Sequence, residues 1–263
     1  MEKENKLTFK PLKKGKTIFL FDIDGTLTAS RQEIKENMIN CLTSIKTHKD
    51  IEIASVGGSD AKKAKEQLLS AFTLFNYVFT ENGLVSYDSE GKIFHSKKIS
   101  SHLGEDKLKT LINFCLKYIA DLDIPIKRGT FVEYRTGLIN VSPIGRNCSL
   151  EERLEFNEYN KTHKVIEKFK EEVEKKFAKE YNLKFSIGGQ ISFDVFPVGW
   201  DKTYCLQFLK DFDNVIFFGD KTYPGGNDYE IAVSDNITRG YNVKGSEDTI
   251  EKINNLVKEL QSL

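Results

Sequence analysis

The sequence has few cysteines, few arginines and no net charge. Its four cysteines lie far apart and form no CxxC pair, which excludes a zinc-thiolate site and argues against a disulfide framework. Lysine plus arginine and aspartate plus glutamate both number 39, so the chain lacks the surplus positive charge that binds nucleic acids or acidic membranes. No apolar run approaches the roughly 18 residues of a membrane span, and Met1–Lys16 has no signal-peptide core. We therefore expect a soluble intracellular protein with no nucleic-acid or membrane partner.

Short apolar runs that end in acidic or glycine-rich turns are the clearest structural pattern. They are Thr17–Phe21, Ile51–Val56 and Val215–Phe218. Runs of this length are typical of strands that are buried on both faces of a parallel sheet. Helices are predicted after the capping-box pattern Ser30–Glu33, at 60–72 and at 246–260, because apolar residues recur there at helical spacing. Strand and helix thus alternate at both ends of the chain.

The middle of the chain has a different pattern. The predicted elements are a helix near 103–121, strands at 130–135 and 138–142, a long helix near 157–181, and strands near 183–187 and 191–196. Hairpin-like strands with two helices indicate an inserted α+β unit. The predicted fold class is therefore α/β, with a Rossmann-like parallel-sheet core at 1–86 and 197–263 and an α+β cap at 87–196. Residues 1–16 are predicted to be a flexible tail.

Carboxylates follow two of the predicted core strands. Asp22 and Asp24 come directly after the first strand, and Asp220 follows a later one. Ligands of open α/β sheets bind at the carboxyl ends of the strands, so these side chains should meet there. Carboxylates so close together need a compensating cation, and an all-oxygen ligand set favours Mg²⁺.

These residue types suit phosphoryl transfer. Asp22 can attack phosphorus and form an aspartyl phosphate, with Asp24 as general acid and base. The turn Gly57–Asp60 leads into a helix and offers a hydroxyl and amides to a phosphate. A DxDGT string alone could equally be a strand and an ordinary turn. Its combination with Gly57–Asp60 and Gly219–Asp220 favours the site.

Four short motifs resemble those of haloacid-dehalogenase-like phosphotransferases. They are Asp22–Thr26, Ser59, Lys202, and Gly219–Asp220 with Asn227–Asp228. The resemblance implies that Ser59 contacts the phosphate and that Lys202 balances charge around Asp22. It also implies that Asp220 and Asp228 organise Mg²⁺ beside Asp22 and Asp24.

Longer strings narrow this resemblance to the eukaryotic phosphomannomutase family, from about Lys16 to near the C-terminus. They are Val56–Asp60, Glu81–Gly83, Arg128–Phe131, Asn140–Arg146, Gly188–Pro197, Gly199–Lys202, Phe217–Thr222 and Gly225–Asp228. The resemblance implies a cytosolic homodimer that joins through its caps. It also implies a mutase that interconverts mannose 6-phosphate and mannose 1-phosphate, is primed by a hexose 1,6-bisphosphate, and supplies GDP-mannose synthesis.

Arginine is scarce, with six residues against 33 lysines, and four of the six, Arg128, Arg135, Arg146 and Arg153, lie within one short stretch of the predicted cap. Arginine binds phosphate through two parallel hydrogen bonds from its planar guanidinium group. The resemblance implies that substrate is held by Arg31, Arg135, Arg146 and Arg153, whereas Arg128 has no clear contact role. Pairing with carboxylates or a place at a helix start is a serious alternative for Arg31 and Arg153. Arg153 follows a second capping-box pattern, Ser149–Glu152, where the helix dipole does not favour a cation unless an anion is bound.

Two further predictions rest on the resemblance. Ser192 and Asp194 alternate onto one face of a strand, where a solvated sheet face is the plainer alternative, and the family pattern favours contacts with sugar hydroxyls. Asp235 and Thr238 keep the spacing associated with a second, structural cation. The family typically has an Asp-Pro-Arg-Thr string at that point, and this chain has one residue more and no proline.

Two other functions stay open at this point. A sugar-phosphate phosphatase would use the same nucleophile and let water take the phosphoryl group, but it would not need the arginine cluster. A non-catalytic phosphosugar-binding protein is a second alternative, which the complete set of Asp22, Asp24, Lys202 and Asp220 argues against. The sequence does not decide between mannose and glucose phosphates.

Overall fold

The computed structural model describes residues 6–263, which form two compact units. One unit runs to Ser96 and resumes at Asp201, and the other is Lys97–Trp200. The sequence placed these boundaries near 86 and 197. The first boundary lies later in the structure because the strand Ile93–Ser96 pairs with the sheet of the first unit.

The helices and strands follow in chain order. Up to Ser96 they are β1 Thr17–Phe21, α1 Glu36–Ile45, β2 Ile51–Val56, α2 Ala61–Leu68, β3 Tyr77–Thr80, β4 Val85–Asp88 and β5 Ile93–Ser96, with 3-10 turns at Leu69–Leu74 and Glu81–Gly83. The second unit contains α3 Ile99–Leu103, α4 Glu105–Asp121, β6 Val132–Tyr134, β7 Ile139–Val141, α5 Leu150–His163, α6 Val165–Tyr181, β8 Leu183–Gly188 and β9 Ser192–Pro197. The chain then forms a 3-10 helix Lys202–Phe208, β10 Asn214–Gly219, α7 Tyr229–Ala232, β11 Arg239–Asn242 and α8 Ser246–Gln261.

The first unit is built on a seven-stranded sheet in the order β11-β10-β1-β2-β3-β4-β5. The strands from β11 to β3 are parallel, and β4 and β5 are antiparallel. Side chains of β1 alternate between two cores, with Phe19 and Phe21 in one and Ile18 and Leu20 in the other. Both faces of the sheet are therefore covered, as its apolar runs predicted. The direction of strand order reverses at β1, and in open α/β sheets such a point is where ligands bind.

The second unit is built on a four-stranded antiparallel sheet in the order β6-β7-β9-β8. Its apolar face packs on α6, where the rings of Phe169 and Phe193 meet edge to face at 5.2 Å. The ring of Tyr118, from α4, stacks on Phe169 at 4.2 Å. The opposite face of the sheet carries polar side chains, including Asn140 and Asp194, which are cross-strand partners.

Two local predictions were wrong, whereas a third, the helix near 103–121, is confirmed as α4. No capping box forms at Ser30–Glu33, because Arg31 is in the left-handed region (φ 60°) and the helix begins at Glu36. The helix predicted over 157–181 is two helices, α5 and α6, which meet at Lys164, another left-handed residue (φ 54°). The helix near 103–121 starts after a break at Gly104.

The predicted tail over 1–16 is also anchored where the structure describes it. Phe9 forms a β-bridge with Arg239, and the Arg239 guanidinium lies 4.2 Å from the centre of the Phe9 ring. The Lys16 backbone N–H donates to Asp213 Oδ2 at 2.9 Å. Residues 1–5 lie outside the described residues. Within residues 6–263, no helix is both long enough and apolar enough to cross a membrane.

Candidate active site

Three carboxylates converge at the carboxyl ends of β1 and β10. Asp22 follows β1, Asp220 follows β10, and Asp228 precedes α7. One oxygen from each lies within 4.8 Å of the others. This approach needs glycine nearby, because a Cβ at Gly219 would lie 2.6 Å from Asp228 Oδ2 and one at Gly25 would lie 2.4 Å from Asp220 Oδ2.

Lys202 supplies the positive charge that the carboxylates need. Its Nζ donates to Asp22 Oδ1 and, at 2.5 Å, to Asp228 Oδ1, and its side chain is 2% exposed. Burial alone would lower the pKa of Lys202, but the carboxylates of Asp22 and Asp228 raise it. Burial raises the pKa of Asp22, the Lys202 ammonium opposes this rise, and Asp228 adds to it. Burial is the larger effect, so the pKa of Asp22 rises to about 7 even with the Lys202 ammonium beside it.

The cluster can hold a metal ion. With three ionised carboxylates beside one ammonium the cluster would carry two negative charges, and burial opposes that state by raising the pKa of Asp22 and of Asp220. Asp220 Oδ1 is buried and has no hydrogen-bond partner among the described residues. A buried oxygen without a partner is costly unless a cation or water binds it. All the ligand atoms are carboxylate oxygens, which suits a hard divalent cation.

Asp24 lies outside this cluster. Its Oδ1 accepts from the backbone N–H of Arg31 at 2.6 Å and from Gln67 Nε2 at 2.8 Å. Lys63 Nζ is 3.4 Å from Asp24 Oδ2. Burial favours a higher pKa for Asp24, but these donors lower it overall. The structure therefore does not bring the Asp24 carboxylate together with the predicted metal ligands, and it presents Asp24 as a deprotonated base.

A cavity of about 150 Å³ joins Asp22 and Asp24 to the second glycine-rich turn. Ser59 lines it, as do Gly57, Gly58, Gln67, Lys221 and Asn227. Asp60 caps the following helix by accepting from the Lys63 backbone N–H at 2.9 Å, which fixes the turn. The sequence reasoning missed Gln67. The available signal was a polar residue at a core-facing position of α2, beside Ala64 and Leu68.

The second unit carries a network of arginines and carboxylates. Arg135 donates to Glu133 Oε2 through Nε at 2.8 Å, and Arg146 Nε lies 3.2 Å from the same oxygen. Arg146 also donates to Asn140 Oδ1 at 2.9 Å, so the structure brings Arg135 and Arg146 together. The sequence reasoning gave Glu133 and Asn140 no role, since only strand register shows that they face the arginines.

Asn140 joins this network to the predicted hydroxyl-binding residues. Its Nδ2 donates to Ser192 Oγ at 3.0 Å and to Asp194 Oδ1 at 2.7 Å. Burial raises the pKa of Asp194, while the Asn140 hydrogen bond and the charges of Arg135 and Arg146 oppose that rise. Ser192 is 3% exposed, so the solvated face of the plainer alternative does not hold at Ser192, although Glu133 and Arg135 on the same sheet are about one-third exposed.

The remaining arginines of the second unit are placed by α5. Ser149 and Glu152 form the predicted capping box, and Arg128 donates to Glu152 Oε1 through Nε at 2.8 Å. Arg153 lies in the first turn of this helix, as predicted. Among residues 6–263, no hydrogen bond or ion pair joins Arg153 to the network of Arg135 and Arg146.

The loop predicted to hold a second cation has other contacts. Thr238 Oγ1 accepts from the Val215 backbone N–H at 3.1 Å, and Lys10 Nζ donates to the Asp235 carbonyl at 2.5 Å. The Asp235 residue is exposed. A cation site at Asp235 and Thr238 stays a prediction.

Known proteins resemble this chain in sequence and in fold. A family model described as eukaryotic phosphomannomutase matches residues 38–259. Phosphomannomutases of Dendrobium officinale and Arabidopsis thaliana are each 56% identical over 236 residues. That is 89% of this chain and 92% or 94% of those proteins, respectively.

A solved structure shares the architecture at much lower identity. Trehalose-6-phosphate phosphatase of Aspergillus fumigatus superimposes with a TM-score of 0.57 at 13% identity, over 92% of this chain and 93% of that one. At this identity the likeness shows the fold alone. It confirms the predicted α/β class with a haloacid-dehalogenase-like fold.

Proposed function

The chain belongs to the eukaryotic phosphomannomutase family, and from that premise we propose that it interconverts mannose 6-phosphate and mannose 1-phosphate through a phosphorylated Asp22. The observation that carries this proposal is the buried Asp22 carboxylate, held by Lys202 beside Asp220 and Asp228. Its position at the strand-order reversal exposes it to the cavity that Ser59 also lines.

A hexose 1,6-bisphosphate primes the proposed reaction. An Asp22 oxygen attacks one phosphorus, the bond from that phosphorus to the sugar oxygen breaks, and Asp24, which has first taken a proton from water, gives that proton to the departing oxygen. In the second half, Asp24 takes the proton from a hydroxyl of the monophosphate as that oxygen attacks the phosphorus on Asp22, and the bond from phosphorus to the Asp22 oxygen breaks. The hydrogen bonds from Arg31, Gln67 and Lys63 suit Asp24 to this second step, since they favour its basic form.

We propose Mg²⁺ as the ion of the acidic cluster. Asp22, Asp220 and Asp228 would hold it, and their all-oxygen set with two uncompensated negative charges fits this ion. When bound, Mg²⁺ would neutralise phosphate charge and let two anions approach. Lys202 would hold Asp22 in place through its hydrogen bond, and its ammonium opposes the rise in the Asp22 pKa that burial causes.

The arginine network of the second unit supports a mutase over a phosphatase. A mutase must bind a second phosphate while the first is transferred, and Arg135 and Arg146 offer guanidinium groups to it. Ser192 and Asp194, joined to Arg146 through Asn140, would bind sugar hydroxyls. The proposal also keeps Arg31 and Arg153 as further substrate contacts. A phosphatase of the same fold would need the nucleophile but no second phosphate site.

Phosphorus NMR tests this proposal. The protein is mixed with mannose 1-phosphate, Mg²⁺ and a catalytic amount of glucose 1,6-bisphosphate. We expect the mannose 6-phosphate signal to grow while inorganic phosphate stays near its starting level. Growth of inorganic phosphate in place of mannose 6-phosphate would show a phosphatase.

The family resemblance extends the proposal to the cellular setting. We propose a cytoplasmic homodimer that joins through the second unit and supplies mannose 1-phosphate for GDP-mannose synthesis. Analytical ultracentrifugation tests the assembly, and a sedimentation mass equal to one chain at micromolar concentration would contradict it.

A further inference from the structure

Three polar residues form one row across the sheet of the second unit. Glu133 on β6 is the cross-strand partner of Asn140 on β7, and Asn140 is the partner of Asp194 on β9. Arg135 is two residues after Glu133 and its guanidinium returns to the Glu133 carboxylate. The register therefore places one carboxylate, an amide and a second carboxylate side by side under the two arginines.

The Glu133 carboxylate serves both arginines with one oxygen. Its Oε2 lies 2.6 Å from Arg135 Nη2 and 3.2 Å from Arg146 Nε. The three side chains are 29% to 36% exposed, so water and solutes reach them. A half-exposed carboxylate in this position occupies donors that a phosphate oxygen would use.

Acidic side chains lie beside both arginines of the network before any ligand binds. Two guanidinium groups face the carboxylates of Glu133 and Asp194, and burial favours a neutral Asp194 while the arginines and Asn140 oppose this. A phosphate dianion that binds Arg135 and Arg146 therefore meets the Glu133 charge at close range. Repulsion between like charges lowers the affinity for the phosphate, because it opposes binding and favours release.

We propose that Glu133 is a positioning residue that keeps Arg135 and Arg146 side by side and limits how tightly they hold a phosphate. This inference rests on the proposed function, because a mutase must release the distal phosphate of its bisphosphate so that the sugar can turn. The carboxylate fills the guanidinium donors when the phosphate leaves. Release then exchanges one anion for another and leaves no arginine without a partner.

Two effects of Glu133 oppose each other in the substitution Glu133→Gln. Loss of the negative charge strengthens phosphate binding, and loss of the ion pairs lets the arginines move, which weakens it. The ion pairs hold the arginines in place with a modest free energy because they are partly exposed, whereas a like charge a few ångströms from a dianion costs more. We therefore expect the dissociation constant for inorganic phosphate to fall about tenfold.

The binding experiment reads the arginines directly. Inorganic phosphate is titrated into the full chain while the Nε–H resonances of Arg135 and Arg146 are followed by NMR, which separates this site from the one at Ser59. Glu133→Asp keeps the charge and should bind within a few-fold of the unchanged protein. Glu174→Gln is the matched control, since it removes the same charge from α6, on the other face of the sheet.

Steady-state kinetics supply a second readout that a structural role would not produce. With Glu133→Gln we expect KM and kcat to fall together, because tighter binding of the distal phosphate slows turnover. A dissociation constant equal to or above that of the unchanged protein would overturn the inference, as would weaker binding in both Glu133→Gln and Glu133→Asp. Failure of the proposed function would look different, since the unchanged protein would then release inorganic phosphate from mannose 1-phosphate.

Discussion

The acidic centre of the first unit and the arginine network of the second unit both pair opposite charges, but in different surroundings. Lys202 is 2% exposed and Asp228 is fully buried, whereas Arg135 and Glu133 are about one-third exposed. The acidic centre lies at the ends of parallel strands with helices on both faces. The arginine network lies on the polar face of an antiparallel sheet.

This difference in burial suits the acidic centre to chemistry and the arginine network to reversible binding. Buried charges have no water to replace a lost partner, so each member of the acidic centre depends on the others. That dependence holds a nucleophile in place. The half-exposed pairs of the network exchange partners at low cost, which suits a phosphate that must bind and leave.

The largest expected effect changes the acidic centre and leaves the arginine network as it is. Asp22→Asn removes the nucleophile, and we expect kcat to fall by a factor on the order of 10⁴ or more. Phosphate binding seen at the Arg135 and Arg146 Nε–H resonances should stay unchanged, since these residues belong to the other unit. Stopped assays that measure mannose 6-phosphate would check the loss. Residual mutase activity within tenfold of the unchanged protein would sink the assignment of Asp22.

Lys202→Met tests the mutual dependence of the buried charges. It leaves three carboxylates without a protein cation, and we expect the free energy of unfolding to drop by about 3–5 kcal/mol. Added Mg²⁺ should recover more stability in this variant than in the unchanged protein, because binding to the folded state stabilises it. Amide hydrogen exchange in β1 and β10, measured at increasing urea concentration, gives both the loss of unfolding free energy and its recovery with Mg²⁺.

The control for Lys202→Met is Lys170→Met. Lys170 pairs with Glu174 at 2.5 Å on α6 and is 20% exposed. We expect a loss of at most about 1 kcal/mol there. Equal losses in the two variants would show that burial does not set the difference between the regions.

Arg146→Lys tests the opposite behaviour in the arginine network. Lysine keeps the charge but loses the planar set of donors that reaches Glu133 and Asn140. We expect KM for mannose 1-phosphate to rise by about ten- to hundredfold, the range for a hydrogen bond to a charged group. The free energy of unfolding should change by less than about 1 kcal/mol. A large loss of unfolding free energy with an unchanged KM would show that Arg146 serves stability and not substrate binding.

The sequence predicted the acidic centre better than the arginine network for a physical reason. Asp22 and Asp220 directly follow apolar runs, and parallel strands bring their carboxyl ends to one edge whatever their order. Glu133 and Asn140 pair across the short hairpin β6–β7, but Asp194 joins them only through the antiparallel register of β7 with β9, a strand far away in sequence. Hydrophobic patterns set which face a strand buries, but they do not name its cross-strand partners.

Local contacts from distant residues explain most of the other differences. Residues 8–16 look like a polar tail, yet Arg239 and Asp213 anchor them. The break at Lys164 lies within a continuous run of helix-forming residues, and only its left-handed backbone divides α5 from α6. Propensity is a weak prior at such points, and tertiary contacts override it.

The smallest predicted effect compares two patterns that look alike in sequence, Ser30–Glu33 in the first unit and Ser149–Glu152 in the second. Ser149 Oγ accepts from the Glu152 backbone N–H at 3.1 Å, and Glu152 Oε2 accepts from the Ser149 N–H at 2.9 Å. Ser149→Ala should cost about 1 kcal/mol of unfolding free energy, measured by Trp200 fluorescence because the single tryptophan lies in that unit.

Ser30→Ala should change the stability of the first unit by less than about 0.5 kcal/mol, because Ser30 is exposed and caps no helix. The Asp24 carboxylate accepts a hydrogen bond from the Arg31 backbone N–H at 2.6 Å. This contact is part of the active site and does not cap a helix. Hydrogen exchange of α1 amides would measure the effect. A loss near 1 kcal/mol for Ser30→Ala would mean that the turn at Arg31 gains its stability from the serine, and that the nucleophile loop depends on it.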